Sequence, residues 1–371
     1  MWILARFRCV AVTTAAMLTV AGCAPHDLEA MSDSGRIQKG VGTPVAVSGE
    51  TLPVTTLAAD AADDPAIWVD PNDSARVAIL GTDKQAGLYS YDLKGAVRQF
   101  IPDGRLNNVD LRDGFPTPSG PRVLVAASDR GRIAAALYTL DPATLAITPW
   151  GLAKLDLAEP YGLCMGHYGD RFLVIVNGTD GQVRQLKVAA GPDGALVSTE
   201  ERRFGVGSQT EGCVVDDAKG VLYIGEEAKG IWRYSLDGIG DRTLVAAAPS
   251  PMLKPDVEGL TLLRDGPRTW LIASSQGDSA FAVWRVDGQE SLYAGRFSAM
   301  AAQGIDGVTG TDGIDAHGGN VGPYLAGLLV VQDDVDSDGE SLSTTRERQN
   351  FKMIDWRAVA TALNLKDVGP Q

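Results

Sequence analysis

Short apolar runs that each begin with a carboxylate recur along this chain at a spacing of about 50 residues. Four of the six runs carry a glycine one to three positions after the acid. The six acids are Asp64, Asp110, Glu159, Glu211, Glu258 and Asp312. Strand-sized runs that repeat with a period of about 40 to 50 residues are typical of β-propeller blades. The pattern therefore predicts a ring of similar units.

A second series of aromatic-rich strands runs in step with the first. Its members are GLYSYDLKG at 87–95, AALYTLDP at 135–142, GIWRYSLDG at 230–238 and AVWRVDG at 282–288. Their turn aspartates, Asp92, Asp141, Asp237 and Asp287, are separated by 49, 96 and 50 residues. The gap of 96 equals two periods, and the unit it skips is the less regular segment 181–191.

The first unit divides into four strands, AIWV, RVAILGT, GLYSYDL and AVRQFI, with polar or glycine-containing turns between them. Residues 55–371 divided by six leave about 53 residues per unit, which suits one closed ring. This repeat overrides the two domains that length alone would suggest. We expect an all-β, six-bladed β-propeller with four-stranded antiparallel blades over residues 55–371.

Closure of the ring predicts a site, because the first strand of each propeller blade lines the central channel. The six acids should then face one another at one mouth of the channel. Carboxylates held close together in a partly dehydrated place either protonate or bind cations. A flexible ring of oxygen ligands without sulfur favours Ca²⁺.

The N-terminus has the features of an exported protein. Arg6 and Arg8 precede an uncharged stretch that is too short to span a bilayer, so residues 1–22 are predicted to be a signal peptide. The segment ends in Val-Ala-Gly-Cys, which resembles a bacterial lipobox with Cys23 as the lipidated residue. Residues 23–54 are then expected to be a flexible tether. Ala24 points to the outer membrane, on the periplasmic or surface side, with an ordinary cleaved signal and a periplasmic or secreted protein as the alternative.

Charge and composition exclude several classes of function. A net charge of −14 argues against binding nucleic acid through phosphate contacts. The three histidines form no zinc-protease motif, and a Gly-x-Ser-x-Gly elbow is absent from the sequence. Chemistry is therefore expected to depend on bound metal and water. Cys164 and Cys213 are expected to be two buried thiols, with a disulfide as the alternative.

Eight segments in order along the chain resemble the β-propeller, or alkaline, phytases. They are DAADDPAIW (60–68), LNNVDLR (106–112), SQTEG (208–212), YIGEEAKGIWRYS (223–235), PDVEGLT (255–261), ASSQGDS (273–279), TDGID (311–315) and QNFKM (349–353). The resemblance implies a Ca²⁺-dependent phosphomonoesterase that hydrolyses phytate, inositol hexakisphosphate, to lower inositol phosphates. It also implies several Ca²⁺ ions and direct attack of a metal-activated water on phosphorus.

The resemblance implies roles for individual residues. Glu211, Glu227, Glu258 and Tyr161 are implied to be catalytic, and Lys84, Arg130 and Tyr161 to contact substrate phosphate. The metal ligands expected from the resemblance and from the acid series are Asp63, Asp64, Pro65, Val109, Glu211, Glu227, Asp256, Glu258, Gln276, Asp312, Asp315, Gln332 and Asp333.

Two departures from the family pattern bear on the substrate. Gln85 and Thr179 stand where many family members have lysines, which predicts weaker side-chain holding of phosphate. Arg184 and Lys229 are candidates to compensate, with solvated side chains as the alternative. The segment Asp334–Gly339 has the spacing of a Ca²⁺ loop, but Thr345 replaces the glutamate that would complete it.

Two other functions remain open from the sequence. One is a lactonase-like Ca²⁺ hydrolase, which would need a histidine near the metal. The other is a propeller that binds polyanions or protein partners without catalysis, since a fold alone does not fix a function. We expect a monomer that contacts the membrane only through its lipid.

Overall fold

The computed structural model describes residues 40–57, 60–336 and 348–366, and it confirms the six-bladed, four-stranded propeller. Two short strands come first, β1 (Thr43–Ala46) and β2 (Gly49–Glu50). Blade 1 contains β3 (Ala62–Asp70), β4 (Asp73–Asp83), β5 (Gly87–Tyr91) and β6 (Val97–Ile101). Blade 2 contains β7 (Leu106–Phe115), β8 (Arg122–Asp129), β9 (Ala134–Leu140) and β10 (Ile147–Lys154). Blade 3 contains β11 (Pro160–Tyr168), β12 (Arg171–Gly178), β13 (Gln182–Ala190) and β14 (Leu196–Gly205).

The second half repeats the arrangement. Blade 4 contains β15 (Thr210–Asp216), β16 (Val221–Glu226), β17 (Gly230–Ser235) and β18 (Thr243–Ala247). Blade 5 contains β19 (Leu260–Asp265), β20 (Arg268–Ser275), β21 (Ala280–Arg285) and β22 (Leu292–Met300), with a short 3-10 helix at Gln276–Asp278. Blade 6 contains β23 (Ile314–Gly318), β24 (Gly327–Asp333) and β25 (Asn350–Asp355), and helix α1 (Trp356–Ala362) follows.

The N-terminal strands close the ring. Strand β2 pairs antiparallel with β25 and supplies the fourth strand of blade 6, while β1 pairs parallel with β22 as a fifth strand of blade 5. Val45, Val47 and Val54 are buried. The predicted tether is therefore wrong for residues 43–54, which belong to the propeller. These pairings hold the N-terminal segment against the last two blades and so tie the start of the propeller to its end.

The order of strands within each blade places the acid motifs. The first strand of each blade, β3, β7, β11, β15, β19 and β23, lies against its neighbours in the adjacent blades and surrounds the channel. The middle strands β8, β12, β20 and β24 are almost entirely buried, since apolar side chains from adjacent blades cover both of their faces. Residues at the starts of the six inner strands are thereby held at one mouth.

Cys164 and Cys213 form a disulfide with a Cα–Cα distance of 5.5 Å. They occupy β11 and β15, the inner strands of blades 3 and 4. The expectation of two buried thiols is therefore wrong. Sequence spacing could not decide this point, because it places both cysteines on inner strands without giving the distance between those strands.

Removing the disulfide should lower stability. The bond closes a segment with a sequence separation of 49, and a cross-link of that span is worth about 2 to 4 kcal/mol. The double variant Cys164→Ala/Cys213→Ala should unfold at a lower urea concentration than the unaltered protein. Reductant should shift the midpoint of the unaltered protein and leave that of the variant in place. Equal midpoints for the two proteins would show that the bond does not stabilise the fold.

Candidate active site

Three buried glutamates converge at one mouth of the channel. Glu211 lies in β15, Glu227 directly follows β16, and Glu258 lies two residues before β19. One carboxylate oxygen from each lies within 4.8 Å of the others. The three come from neighbouring first and second strands of blades 4 and 5, so the propeller ring brings together residues up to 47 positions apart in sequence.

The electrostatics of these glutamates fit a bound cation. Burial raises the pKa of Glu258 well above its usual range, and the adjacent carboxylates of Glu211 and Glu227 raise it further. The Glu258 Oε2 atom is buried and accepts no hydrogen bond from the residues that the structure describes. A hard divalent cation would satisfy such oxygens and relieve their mutual repulsion. The three glutamates could therefore hold a metal ion.

Lys84 joins three further acids on the blade 1 and blade 6 side of the mouth. Its Nζ lies 2.6 Å from Asp60, 3.1 Å from Asp63 and 3.1 Å from Asp312. Burial raises the pKa of Asp312 to about 7, opposed by the Lys84 ammonium and reinforced by Glu211. Lys84 is 2% exposed, so it is a buried counter-ion of the site in this structure and not a solvated turn residue.

Two glutamines flank Asp312. The Gln276 side-chain amide donates to Asp312 Oδ1, and the Asp312 amide donates to Gln332 Oε1 at 2.8 Å. The backbone N–H of Gln276 also donates to the backbone oxygen of Asp256 at 3.1 Å. The predicted ligands Asp256, Gln276, Asp312 and Gln332 therefore lie in one continuous group.

The predicted ligands of blades 1 and 2 lie on the channel side of this group. The Val109 amide donates to Asp64 Oδ2 at 3.0 Å, and Pro65 and Val109 line a channel cavity of about 930 Å³ below it. The Asn107 side chain donates to Glu211 Oε1 at 2.8 Å. Asn107 was missed in the sequence, although the LNNVDLR segment contains it, because the pattern drew attention to acids.

Four glycines explain how backbones come close enough for the acids to meet. Each follows a site residue, and each lies against the acid-bearing backbone of the next blade. A Cβ atom on Gly162 would lie 1.8 Å from Glu211 O, and one on Gly212 would lie 1.7 Å from Glu258 O. A Cβ atom on Gly259 would lie 2.8 Å from Asp312 O, and one on Gly313 would lie 2.7 Å from Asp63 O. The glycine noted after four of the six acids is thus a packing requirement between blades.

Tyr161 and Arg130 form the rim of the site on blades 2 and 3. The Arg130 guanidinium carbon lies 5.3 Å from the centre of the Tyr161 ring. Burial raises the pKa of Tyr161 well above its usual range, and the Glu211 carboxylate adds to that rise. Tyr161 is therefore neutral, with an O–H able to donate a hydrogen bond.

Two of the six recurring acids do not join the others, so the expectation of a ring of six is wrong. Asp110 lies deeper in the channel, where it pairs with Arg112 at 2.9 Å and accepts from the Met165 amide at 2.7 Å. Glu159 lies on the rim and pairs with Arg130 at 2.8 Å. The motif repeats in sequence, but because the strands are twisted, equivalent side chains lie at different depths along the channel and on different faces of their strands.

Asp315 also lies away from the three glutamates. Its carboxylate accepts from the Ile67 amide at 2.7 Å and from Thr261 Oγ1 at 3.0 Å, and it lines the channel cavity with Asp110. Arg184 is buried and donates to Asp156 O at 2.6 Å, so it is unavailable to replace a missing lysine at the mouth. Lys229 is exposed.

Asp333 belongs to a second acidic group, which surrounds the buried ammonium of Lys352. Lys352 Nζ contacts Asp306 and lies 2.5 Å from Glu50, 3.4 Å from Asp333 and 3.2 Å from Asp336. Asp334, from the same turn, accepts from Gln349 Nε2 at 2.6 Å. Residues 337–345 of the predicted Ca²⁺ loop lie outside the described residues.

The buried carboxylates predict that the metal-free protein loses stability as pH rises. Burial raises the pKa of Asp312 and of Asp315 to about 7, against about 3.9 in an unfolded chain. The folded state therefore holds extra protons between about pH 4 and pH 7, and stability falls across that window by several kcal/mol. Melting temperature in chelator should fall from pH 5 to pH 8, and Ca²⁺ should remove most of this dependence. A flat or rising profile in chelator would contradict the expectation.

A family model and a curated relative point to the same family. A protein-family model described as Phytase matches residues 9–370. A curated protein named 3-phytase from Bacillus subtilis (strain 168) is 36% identical over 327 residues, which cover 85% of this chain and 84% of that protein. Among solved structures, BBS1N in complex with ARL6DN, soaked with mercury, gives a TM-score of 0.42 at 13% identity over 75% of each chain. That structural likeness is too weak to carry an argument.

Features of the predicted export signal fall largely outside the described residues. The signal peptide at 1–22, Cys23 and the tether up to residue 39 belong to the segment that the structure leaves undescribed. None of the helices in the described ranges has both the length and the hydrophobicity that crossing a bilayer requires.

Proposed function

We propose, from the premise that this chain belongs to the phytase family, that it uses Ca²⁺ to hydrolyse phytate to lower inositol phosphates and phosphate. The observation that carries this proposal is the convergence of Glu211, Glu227 and Glu258, which fit a hard cation at a mouth that also presents Lys84 and Arg130. An anionic substrate would otherwise be repelled by so many carboxylates.

The chain's own residues would hold several cations. Glu211, Glu227 and Glu258 would bind on the side of blades 4 and 5, while Asp63, Asp64 and Asp312, with Asp256, Gln276 and Gln332 nearby, would bind on the other side. Pro65 and Val109 line the channel cavity, where their backbone oxygens could act as further ligands for a cation. When bound, Ca²⁺ would neutralise these carboxylates, draw in phosphate and make a water more acidic and hence a better nucleophile.

Three side chains would orient the phosphate to be cleaved. Lys84 and Arg130, which both lie near Tyr161, would supply positive charge, and the neutral Tyr161 hydroxyl would supply a hydrogen-bond donor. With Asp63 and Asp312 neutralised by bound cations, Lys84 would add positive charge for the phosphate, while its ion pair with Asp60 at 2.6 Å would keep the ammonium in place. Asn107 keeps the Glu211 carboxylate in place through its 2.8 Å hydrogen bond.

A lactonase-like hydrolase is disfavoured by the positions of the histidines. The His167 ring stacks on Phe172 with centroids 4.1 Å apart, and His317 lines the lower channel cavity. Neither contributes to the group of three glutamates. A propeller that binds without catalysis is an outcome of the experiment below.

We also propose that the protein is an outer-membrane lipoprotein, tethered through Cys23 and facing the periplasm or the cell surface. A monomer in that place would release phosphate from external phytate. Labelling with radioactive palmitate in a bacterial host, with and without Cys23→Ser, tests the anchor.

Phosphate release from phytate, measured with Ca²⁺ and then with excess chelator at neutral and mildly alkaline pH, tests the function. Release that stops on chelation and returns with Ca²⁺ would support the proposal. Phosphate release that persists in chelator would show that phytate is a substrate but that the reaction does not need Ca²⁺. If the folded, Ca²⁺-loaded protein releases no phosphate, the alternative of a propeller that binds without catalysis would be favoured.

A further inference from the structure

A carboxylate lies between two arginines on the rim of the site. Arg130 Nε donates to Glu159 Oε1 at 2.8 Å, and Arg105 Nη2 lies 3.8 Å from the same oxygen. The two arginines are also joined through their backbones, since the Arg130 amide donates to Arg105 O at 2.9 Å. One acceptor oxygen thus faces two guanidinium groups at the place where an anionic substrate would enter.

We propose that the Glu159 carboxylate competes with substrate phosphate for the guanidinium groups of Arg130 and Arg105. In this proposal Arg105 is a specificity-determining residue that holds a second phosphate of the substrate. The inference rests on the proposed function, in which Arg130 contacts a phosphate. Substrate would displace the Glu159 carboxylate, and two phosphate groups on one molecule would then engage Arg130 and Arg105.

The contacts of Arg130 indicate that it does not need Glu159 to keep its orientation. Its Nη1 donates to Asn107 Oδ1 at 3.2 Å, and its guanidinium lies over the Tyr161 ring. Asn107 in turn is fixed by its hydrogen bond to Glu211. Removing the Glu159 charge would therefore leave the guanidinium aimed at the site and without its competitor.

Exposure indicates that Glu159 and Arg105 are able to move. The Arg130 side chain is 17% exposed, while those of Glu159 and Arg105 are 31% and 48% exposed. A phosphate monoester carries more charge than a carboxylate and offers three acceptor oxygens, so it can displace a half-exposed carboxylate from an arginine. Arg105 can follow the second phosphate because nearly half of its side chain is exposed to solvent.

The position of Arg105 bears on the two replaced lysines. Gln85 and Thr179 cannot supply positive charge, and Arg184 is turned toward Asp156. Arg105 belongs to blade 2 and lies next to Arg130. It would therefore supply, from the Arg130 side of the site, the positive charge that the two replaced lysines would have given. A substrate with several adjacent phosphates should depend on it more than a substrate with one phosphate.

Steady-state kinetics on Glu159→Gln and Arg105→Gln, with Ca²⁺ present, test the proposal. Glu159→Gln should lower KM for phytate about threefold and Arg105→Gln should raise it about fivefold, the size expected for partly exposed charged contacts. Both effects should appear mainly in KM and should shrink for p-nitrophenyl phosphate, which has one phosphate. Arg98→Gln, an exposed change on the outer strand β6, controls for loss of one positive charge.

Two results would overturn the proposal. A higher KM in Glu159→Gln would mean that Glu159 only positions Arg130, and an unchanged KM in Arg105→Gln would remove Arg105 from the site. Binding of inositol hexasulfate, a sulfate analogue of phytate, measured by titration calorimetry should follow the same order as KM. If the unaltered protein failed to hydrolyse phytate, the proposed function would fail, whereas normal hydrolysis with unaltered KM values would refute this inference alone.

Discussion

Glu258→Gln should reduce phosphate release from phytate by at least about a hundredfold while the protein remains folded. The substitution keeps the shape of the side chain and removes one negative charge from a buried group of three. Because burial and two neighbouring carboxylates raise the pKa of Glu258, its neutral replacement should also raise the melting temperature measured in chelator. The stabilisation that Ca²⁺ adds should become smaller.

The combination of lost activity and gained metal-free stability separates a site residue from a structural one. Activity on phytate and melting curves, each with Ca²⁺ and with chelator, provide the measurement. Glu290→Gln makes the same chemical change at an exposed position and should alter neither quantity. Full activity in Glu258→Gln would show that the three glutamates are not the reaction centre.

Gly212→Ala should damage both stability and activity. The new methyl carbon would lie 1.7 Å from Glu258 O and 2.8 Å from Glu258 C, which are backbone atoms of the next blade. Blades 4 and 5 must move apart to accept it, at a cost of about 3 kcal/mol. The same movement separates Glu211 from Glu258, so Ca²⁺ affinity and turnover should fall together.

The measurements for Gly212→Ala are the urea midpoint, the Ca²⁺ concentration that gives half-maximal activity, and turnover at saturating Ca²⁺. Gly205→Ala is a matched control on the outer strand β14, where the added carbon would meet only the Gln182 side chain, at 3.1 Å. That variant should behave as the unaltered protein does. A normal Ca²⁺ requirement in a destabilised Gly212→Ala would limit the role of this glycine to folding.

Much of the fold could be predicted because its signals are local. The runs beginning near Asp64 and the aromatic strand ending near Asp92 repeat with one period, and the four strands of blade 1 appear in the structure where the sequence indicated them. Burial of strand faces and turns at polar or glycine positions depend on neighbours in sequence. A closed ring follows from the number of such units.

The boundary of the domain was harder to predict. Strand β2 contains two residues, Gly49 and Glu50, and a segment so short gives no periodic signal. Its partner β25 lies some 300 residues later in the sequence. Pairing at that distance depends on where the completed ring leaves an open edge, which the sequence near Gly49 does not encode.

Some features of the candidate site are also local in sequence, while others depend on contacts between blades. The sequence by itself determined the repeating strands, the acids at the starts of inner strands and the glycines after four of them, because each of these is a local property of a strand and its turn. Only the tertiary structure decided that Asp64, Glu211, Glu258 and Asp312 meet while Asp110 and Glu159 do not, and that Cys164 bonds to Cys213. The physical reason is that the height, facing and spacing of side chains around the channel are set by contacts between blades, which involve residues about 50 positions apart.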